Sequence, residues 1–95
     1  MKIRLEIRLL PMLAKIVGKG EFEFEFPGET IKELIEELVQ SFGSKARDAL
    51  MNDRGDFDTM IQIALNRKMW ITGDKLDTPL NDGDTVTFML LIGGG

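Results

Sequence analysis

Apolar and polar residues alternate in two stretches near the N-terminus. In residues 2–10 apolar side chains occupy every second position, at Ile3, Leu5, Ile7 and Leu9. In residues 21–26 three glutamates alternate with three phenylalanines, Phe22, Phe24 and Phe26. A period of two is typical of a strand with one buried face, so we predict two strands whose phenylalanines point inward. Their polar faces carry mostly opposite charges, which favours an antiparallel pair. This charged face is interpreted either as a sheet face exposed to solvent or as a surface that binds a partner protein.

A different periodicity follows in residues 30–43. Thr30-Ile31-Lys32-Glu33 has the form of a capping box, with Thr30 as N-cap and Glu33 reaching back to it. Apolar residues then recur at helical spacing, at Ile31, Leu34, Ile35, Leu38 and Phe42. We predict one long helix that ends at Phe42 before Gly43 and packs on a sheet. A shorter helix is predicted for residues 44–51 with Ser44 as its N-cap, and a helical turn for residues 12–17 after Pro11.

The second half of the chain predicts three more strands, at residues 59–65, 69–71 and 85–92. Asn66-Arg67-Lys68 is interpreted as a solvated turn, and the turn Asn81-Asp82-Gly83-Asp84 precedes the last strand. Within that strand Val86, Phe88, Leu90 and Ile92 share one face, and Thr87, Met89 and Leu91 share the other. The more exposed of the two faces is a candidate hydrophobic docking patch. Burial of both faces in the core is the alternative.

The order strand, strand, helix, short helix, strand, strand, strand predicts an α+β fold. We expect a β-grasp (ubiquitin-like) mixed sheet with one long helix packed across it. The first strand would lie antiparallel to the second and parallel to the last. Ninety-five residues predict a single domain, residues 1–95, with a flexible C-terminal tail at residues 93–95.

Composition narrows the possible chemistry. The chain has no cysteine, histidine or tyrosine, which excludes disulfides, thiolate chemistry, histidine-dependent triads and the common zinc sites. The net charge of −4 provides no overall basic field for nucleic acid. Apolar runs are too short to span a bilayer, and the N-terminus lacks the pattern of a signal peptide. We therefore expect a cytoplasmic protein with no metal, cofactor, nucleic acid or membrane as partner.

The last residues carry the candidate chemistry. An apolar strand leads directly into Gly93-Gly94-Gly95, with no polar linker between them. The carboxylate of Gly95 is ionised at pH 7 and is a poor electrophile, but formation of an acyl-adenylate with ATP would activate it. An enzyme must enclose the carboxylate in a narrow slot, where side chains on Gly94 or Gly95 would clash. Gly95 and Gly94 are therefore the predicted reactive site, whereas terminal glycines without a role are the alternative.

The sequence resembles the MoaD/ThiS family of ubiquitin-like sulfur carriers over essentially its whole length. The residues that carry the resemblance are Ala64-Leu65-Asn66, Leu76-Asp77-Thr78-Pro79-Leu80, Asp82-Gly83-Asp84-Thr85-Val86 and Gly94-Gly95. Its length is most similar to the molybdopterin branch, the small subunit of molybdopterin synthase. Where that family usually has two prolines before the tail, this chain has Leu90 and Leu91.

The resemblance implies a carrier in molybdenum or tungsten cofactor biosynthesis. An E1-like adenylating enzyme would activate Gly95, and a sulfur donor would convert it to a thiocarboxylate. The tail would then deliver sulfur to a pterin precursor in the large subunit of molybdopterin synthase, so the catalytic side chains would belong to the partner. The alternatives are a ubiquitin-like protein modifier conjugated through Gly95, and a β-grasp binding module whose tail is not activated.

Overall fold

The computed structural model describes residues 1–58 and 60–90. Along this part of the chain the elements are β1 (Lys2–Arg8), α1 (Pro11–Val17), β2 (Glu21–Glu25), α2 (Ile31–Phe42), α3 (Ser44–Leu50), β3 (Ile61–Leu65), β4 (Met69–Ile71), a 3₁₀ turn (Gly73–Lys75) and β5 (Thr85–Leu90). The strands were all predicted, although β1 ends at Arg8, before the exposed Leu9, β3 begins at Ile61 and the described part of β5 ends at Leu90. The predicted extension to Leu91 and Ile92 lies outside the described residues.

The five strands form one mixed sheet in the order β2-β1-β5-β3-β4. β1 is antiparallel to β2 and parallel to β5, with Leu5 opposite both Phe22 and Val86. β3 is antiparallel to β5 and to β4. This arrangement confirms the predicted β-grasp fold. β5 is the central strand of the five, and β1 lies beside it.

The core lies between the helices and one face of the sheet. The apolar stripe of α2 is buried as predicted, through Ile31, Leu34, Ile35 and Leu38. It packs with the inward residues of the sheet into one cluster that includes Ile3, Leu5, Ile7, Val86 and Phe88. Burial of this apolar area is the main force that holds the helical layer on the sheet. Of the three phenylalanines predicted to point inward, Phe26 is fully buried and the other two are half-buried.

The helical layer contains two short helices, α1 and α3, beside the long helix α2. Residues 11–17 form the helix α1, which has Pro11 in its first turn and buries Leu13. Proline suits this position because the first turn of a helix has no use for its missing N–H. α3 follows Gly43 directly, and Ser44 is its first residue instead of its N-cap. The prediction of Ser44 as a capping residue was therefore wrong.

The predicted capping box begins α2. The backbone N–H of Glu33 donates to the Thr30 hydroxyl at 3.2 Å, and the Glu33 carboxylate accepts from the backbone N–H of Glu29 at 3.1 Å. The N–H of Glu29 and the hydroxyl of Thr30 hold the pKa of the Glu33 carboxyl below its usual value.

Within the described part of the chain, no helix combines the length and the apolar character that crossing a membrane requires.

Candidate functional site

The strand that leads to the predicted reactive terminus is held on both sides. In β5, Met89 lies opposite Arg8 of β1, and Leu90 lies opposite Ile61 of β3. β1 therefore pairs with β5 as far as Met89, and β3 pairs with it as far as Leu90, the last described residue. The predicted site residues Gly94 and Gly95, and the tail at residues 93–95, lie outside the described residues.

Asn66 fixes the other end of β5. Its backbone N–H donates to the carbonyl of Thr85 at 2.7 Å, and its side-chain oxygen accepts from the N–H of Thr85 at 2.8 Å. Its side-chain nitrogen donates to the Asp84 carboxylate at 3.1 Å. Asn66 thus joins the β3–β4 turn to the start of the central strand. Gly83 completes the predicted turn before β5 with a φ of 90°, a conformation that favours glycine.

The face of the sheet opposite the helices contains a buried charged residue. Glu6 of β1 is only 1% exposed, although its position in the alternating pattern predicts a solvated side chain. Its carboxylate accepts from the Arg67 guanidinium, including a 3.1 Å bond from Nε, and from the Thr87 hydroxyl at 2.8 Å. Arg8 lies 3.3 Å from the same carboxylate. A buried charge is stable only when it is paired and hydrogen-bonded in this way.

These contacts change the titration of both partners. The hydrogen bonds from Arg67 lower the pKa of the Glu6 carboxyl to about 2, with a further contribution from Thr87 and against the opposing effect of burial. The same contact raises the pKa of the Arg67 guanidinium above its usual value. The pair is therefore fully ionised at neutral pH.

The predicted charge pairs between β1 and β2 are present on the same face. Lys2 lies 3.7 Å from Glu23, Arg4 pairs with Glu21, and Arg8 reaches Glu21 at 3.3 Å. These contacts are solvent-exposed and each contributes a fraction of a kcal/mol to about 1 kcal/mol. Arg8 connects Glu21 to Glu6, which stand directly opposite each other in the β1–β2 register. Without a shared cation these two carboxylates would repel.

An apolar groove lies beside the Glu6 cluster. Its volume is about 310 Å³. Trp70 and Met69 of β4 line it and are 60% and 56% exposed, and Met89 of β5 is half-buried there. Exposed side chains of this size next to a half-buried methionine are typical of a protein interaction surface. We call this groove and the charged side chains around it the open-face groove.

The two faces of β5 can now be assigned. Val86 and Phe88 are core residues, and Leu90 is half-buried beside them. On the other face Thr87 is buried under Glu6, while Met89 lines the open-face groove. The candidate docking patch is therefore on the Thr87–Met89 face. Its main exposed members, Trp70 and Met69, come from β4 and were not predicted as part of it.

The turn at residues 66–68 is exposed as predicted, but the prediction missed a contact made by Arg67. Its side chain crosses the sheet to Glu6, which is 61 positions away in the sequence. Asn66 and Arg67 both have a positive φ, at 54° and 57°. This left-handed conformation is common for asparagine but costs an arginine roughly 1 kcal/mol. The alternating pattern of β1 gives no indication that Glu6 differs from its polar neighbours.

Comparison with known proteins agrees with this fold. The model of the ThiS family matches residues 7–95, and the chain belongs to this family. No curated protein sequence matches the chain.

Three solved structures with a similar fold cover nearly the whole chain. SAMP1 from Haloferax volcanii has a TM-score of 0.77 and 17% identity, with 100% of both chains covered. A putative molybdopterin converting factor subunit 1 from Pyrococcus furiosus has a TM-score of 0.71 and 23% identity, with 97% of this chain and 99% of that chain covered. The BexX/CysO complex from Amycolatopsis orientalis gives a TM-score of 0.66 and 24% identity, with 98% and 99% covered. Each is less than 25% identical to this chain, so these similarities show a shared fold.

Proposed function

We propose that this protein is a sulfur carrier in molybdenum or tungsten cofactor biosynthesis. The observation that carries the proposal is the ThiS family match over residues 7–95, which includes the glycine-rich terminus. The structure is consistent with it, since the central strand β5 leads toward that terminus and is paired on both sides as far as Met89. Because β5 is held in the sheet, a partner that binds the sheet would also position the start of the tail relative to its own active site.

The reactive group of this proposal is the carboxylate of Gly95. An E1-like adenylating enzyme joins it to the AMP part of ATP and releases pyrophosphate. A sulfur donor then supplies a sulfur nucleophile that replaces AMP, which leaves a thiocarboxylate on Gly95. Gly94 has no side chain, so the tail can pass through a narrow slot to the nucleotide. Since the chain has neither cysteine nor histidine, the catalytic side chains belong to its partners.

The thiocarboxylate then delivers its sulfur to a pterin precursor in the large subunit of molybdopterin synthase. The open-face groove would supply docking contacts for these partners, through Trp70, Met69 and Met89 beside the tail-bearing strand. Similarity to a putative molybdopterin converting factor subunit supports this pathway. The CysO structure was solved as a complex with BexX, which is an example of a protein with a similar fold bound to a partner.

A second function uses the same activated terminus. The similar structure SAMP1 is described as a small archaeal modifier protein. This favours, as the alternative, a modifier whose Gly95 carbonyl is transferred to an amine on a target protein. The two functions differ only in what attacks the adenylate, a sulfur nucleophile or a lysine amine.

The test is to incubate the purified protein with ATP, an E1-like enzyme from the same cell and a sulfur source, and to measure its intact mass. We expect a mass increase equal to the replacement of one oxygen by sulfur, located in the C-terminal peptide. Deletion of Gly94 and Gly95 should abolish both this change and pyrophosphate release. The control for the deletion is Gly73→Ala, a change at a glycine outside the tail, which should leave both the mass change and pyrophosphate release intact. It adds a methyl group where the structure has open space.

Three outcomes separate the hypotheses. A sulfur-modified Gly95 that restores pterin conversion by the large synthase subunit supports the carrier. Recovery of isopeptide-linked adducts without a thiocarboxylate would favour the modifier. If deletion of the two glycines leaves the cellular function intact, the chain is a β-grasp binding module whose tail is not activated.

A further inference from the structure

Positive charge is concentrated at one corner of the helical layer. Residues 11–19 and 44–50, which contain α1 and α3, have four cationic side chains and one carboxylate, a net charge of +3. The whole chain has a net charge of −4, so the remaining residues together carry −7. α1 and α3 pack against each other, which brings the two basic segments together in space. The cations are Lys15, Lys19, Lys45 and Arg47.

An apolar groove of about 710 Å³ lies at this corner. Met12 and Ile16 of α1 and Phe42 at the end of α2 form its apolar part, and Lys15, Lys45 and Asp48 complete the lining. Met12 is 65% exposed, while Ile16 and Phe42 are half-buried. We call this surface the helical groove. It is on the side of the sheet opposite the open-face groove.

The cations of the helical groove differ from those of the sheet. Lys2, Arg4, Arg8 and Arg67 all form ion pairs with glutamates of their own chain. In contrast, the ion pairs found among residues 1–58 and 60–90 involve neither Lys15 nor Lys45. Both lysines are exposed, so their charges are available to an acidic partner.

We propose that the helical groove binds an acidic amphipathic segment of a partner protein. Apolar side chains of that segment would pack on Met12, Ile16 and Phe42, and its carboxylates would lie near Lys15 and Lys45. Helix-in-groove binding of this kind uses apolar anchors for affinity and flanking charges for orientation. The site does not depend on the tail, so a carrier could be held here while its terminus is in another active site.

The lining favours a protein segment over a nucleic acid. Half of its six residues are apolar, including the exposed Met12, and Asp48 would repel a phosphate. Single-stranded nucleic acids are usually bound by aromatic platforms together with continuous basic tracks. Phe42 is the one aromatic residue of the lining, and it is half-buried. An acidic peptide with an apolar stripe matches both the charge and the hydrophobicity of the groove.

The experiment uses a synthetic helical peptide with a leucine stripe flanked by glutamates. Two further peptides replace the glutamates with glutamine or with lysine. Each is titrated into the isotopically labelled full chain, and amide chemical shifts are followed by NMR. We expect the acidic peptide to shift amides of residues 12–16 and 42–48, and the lysine peptide to leave them unchanged. The same shifts should appear in the chain that lacks Gly94 and Gly95, so this proposal is tested separately from sulfur transfer.

Two matched double charge reversals test whether the peptide binds in the helical groove. Lys15→Glu with Lys45→Glu should weaken binding of the acidic peptide about tenfold, a value consistent with the loss of two exposed ion pairs. Lys32→Glu with Lys75→Glu changes the net charge equally at exposed lysines outside the helical groove, and should change the affinity less than about twofold. The variant Met12→Gln keeps every charge and should also weaken binding, because it removes an exposed apolar contact.

Several results would overturn the proposal. One is equal weakening by both charge reversals, which would indicate a nonspecific effect of net charge. Another is a set of shifts centred on Trp70 and Met89, which would place the peptide in the open-face groove. The third is binding of single-stranded RNA or of anionic phospholipid vesicles at residues 12–16 without binding of the peptide. Tight binding that Met12→Gln leaves unchanged would contradict the apolar part of the proposal.

Discussion

Replacement of Glu6 by glutamine should remove part of the stability of this protein at neutral pH, and the loss should disappear in acid. Glu6→Gln keeps the size of the side chain and one oxygen that can accept from Thr87. It removes the negative charge that binds Arg67 and Arg8. The difference between the two proteins therefore reports mainly on the charge.

The size of the effect follows from the pKa of Glu6. Its pKa is lowered from 4.5 to about 2 in the folded protein. Since one pKa unit corresponds to 1.36 kcal/mol, the full shift sets an upper limit of about 3 kcal/mol. Arg67 is 66% exposed, and solvent screens its charge. We therefore expect Glu6→Gln to lower the free energy of unfolding by about 1–2 kcal/mol at pH 7.

The direction of the pH dependence follows from the sign of the shift. A carboxyl whose pKa is lower in the folded state stabilises that state above its unfolded pKa. The stabilisation is lost as the pH falls from 4.5 toward 2, because the unfolded chain binds the proton first. Wild type and Glu6→Gln should therefore differ at pH 7 and converge across this acidic range.

The assay is urea unfolding followed by far-ultraviolet circular dichroism, at neutral pH and at several values between pH 4.5 and pH 2. Glu25→Gln serves as the control because Glu25 is exposed on the same sheet face, and its loss should change stability by less than about 0.5 kcal/mol. A constant difference between wild type and Glu6→Gln at every pH would refute the reasoning. The buried carboxylate would then act through packing and not through its charge.

Three further changes test local features, each by urea unfolding. Thr30→Ala removes the hydroxyl that caps α2 and should cost about 1 kcal/mol, whereas Thr30→Ser should restore most of it. Gly28→Ala places a methyl group 2.7 Å from Cβ of Glu33 and 2.8 Å from the ring of Phe26, and should cost about 1–3 kcal/mol, so a neutral result would contradict the tight packing. Leu9→Asn should stabilise the fold by roughly 0.5–1 kcal/mol, because Leu9 is exposed with a φ of 52° and asparagine tolerates that conformation. A destabilised Leu9→Asn variant would show that the leucine makes contacts that outweigh its strain.

Most of this fold can be predicted from short stretches of sequence, because most of its strands and helices have a clear periodicity of their own. The alternation in β1 and β2 and the spacing of Ile31, Leu34 and Leu38 each specify an element and its buried face without reference to the rest of the chain. α1 was predicted only as a turn, since residues 11–17 are too few to show a clear helical period. Its stability comes from burial of Leu13 against the core, which is a tertiary contact.

The candidate surfaces could not be predicted in the same way. The contact between Glu6 and Arg67 spans 61 positions, and Lys15 and Lys45 lie on different helices. Local periodicity distinguishes only an inward from an outward position, so Glu6 and Arg4 look equivalent in the sequence. They differ because Glu6 lies beside Thr87 of the central strand and within reach of the β3–β4 turn, whereas Arg4 pairs with Glu21 in solvent.

The β3–β4 turn explains why the open face of the sheet keeps a buried charge next to an apolar groove. Arg67 has a positive φ that an arginine rarely adopts, and its guanidinium is held by Glu6 across β5. The cost of that backbone conformation, roughly 1 kcal/mol, is of the same order as the stabilisation expected from the ion pair. The strain therefore offsets part of the stability expected from the Glu6 charge, and the pair fixes the position of the turn and hence of Trp70, which follows three residues later and lines the groove. In some proteins a buried charge that is paired in this way serves to specify one arrangement of the chain. We infer that Glu6 and Arg67 act here as positioning residues, which hold the aromatic wall of the open-face groove beside the strand that leads to Gly95.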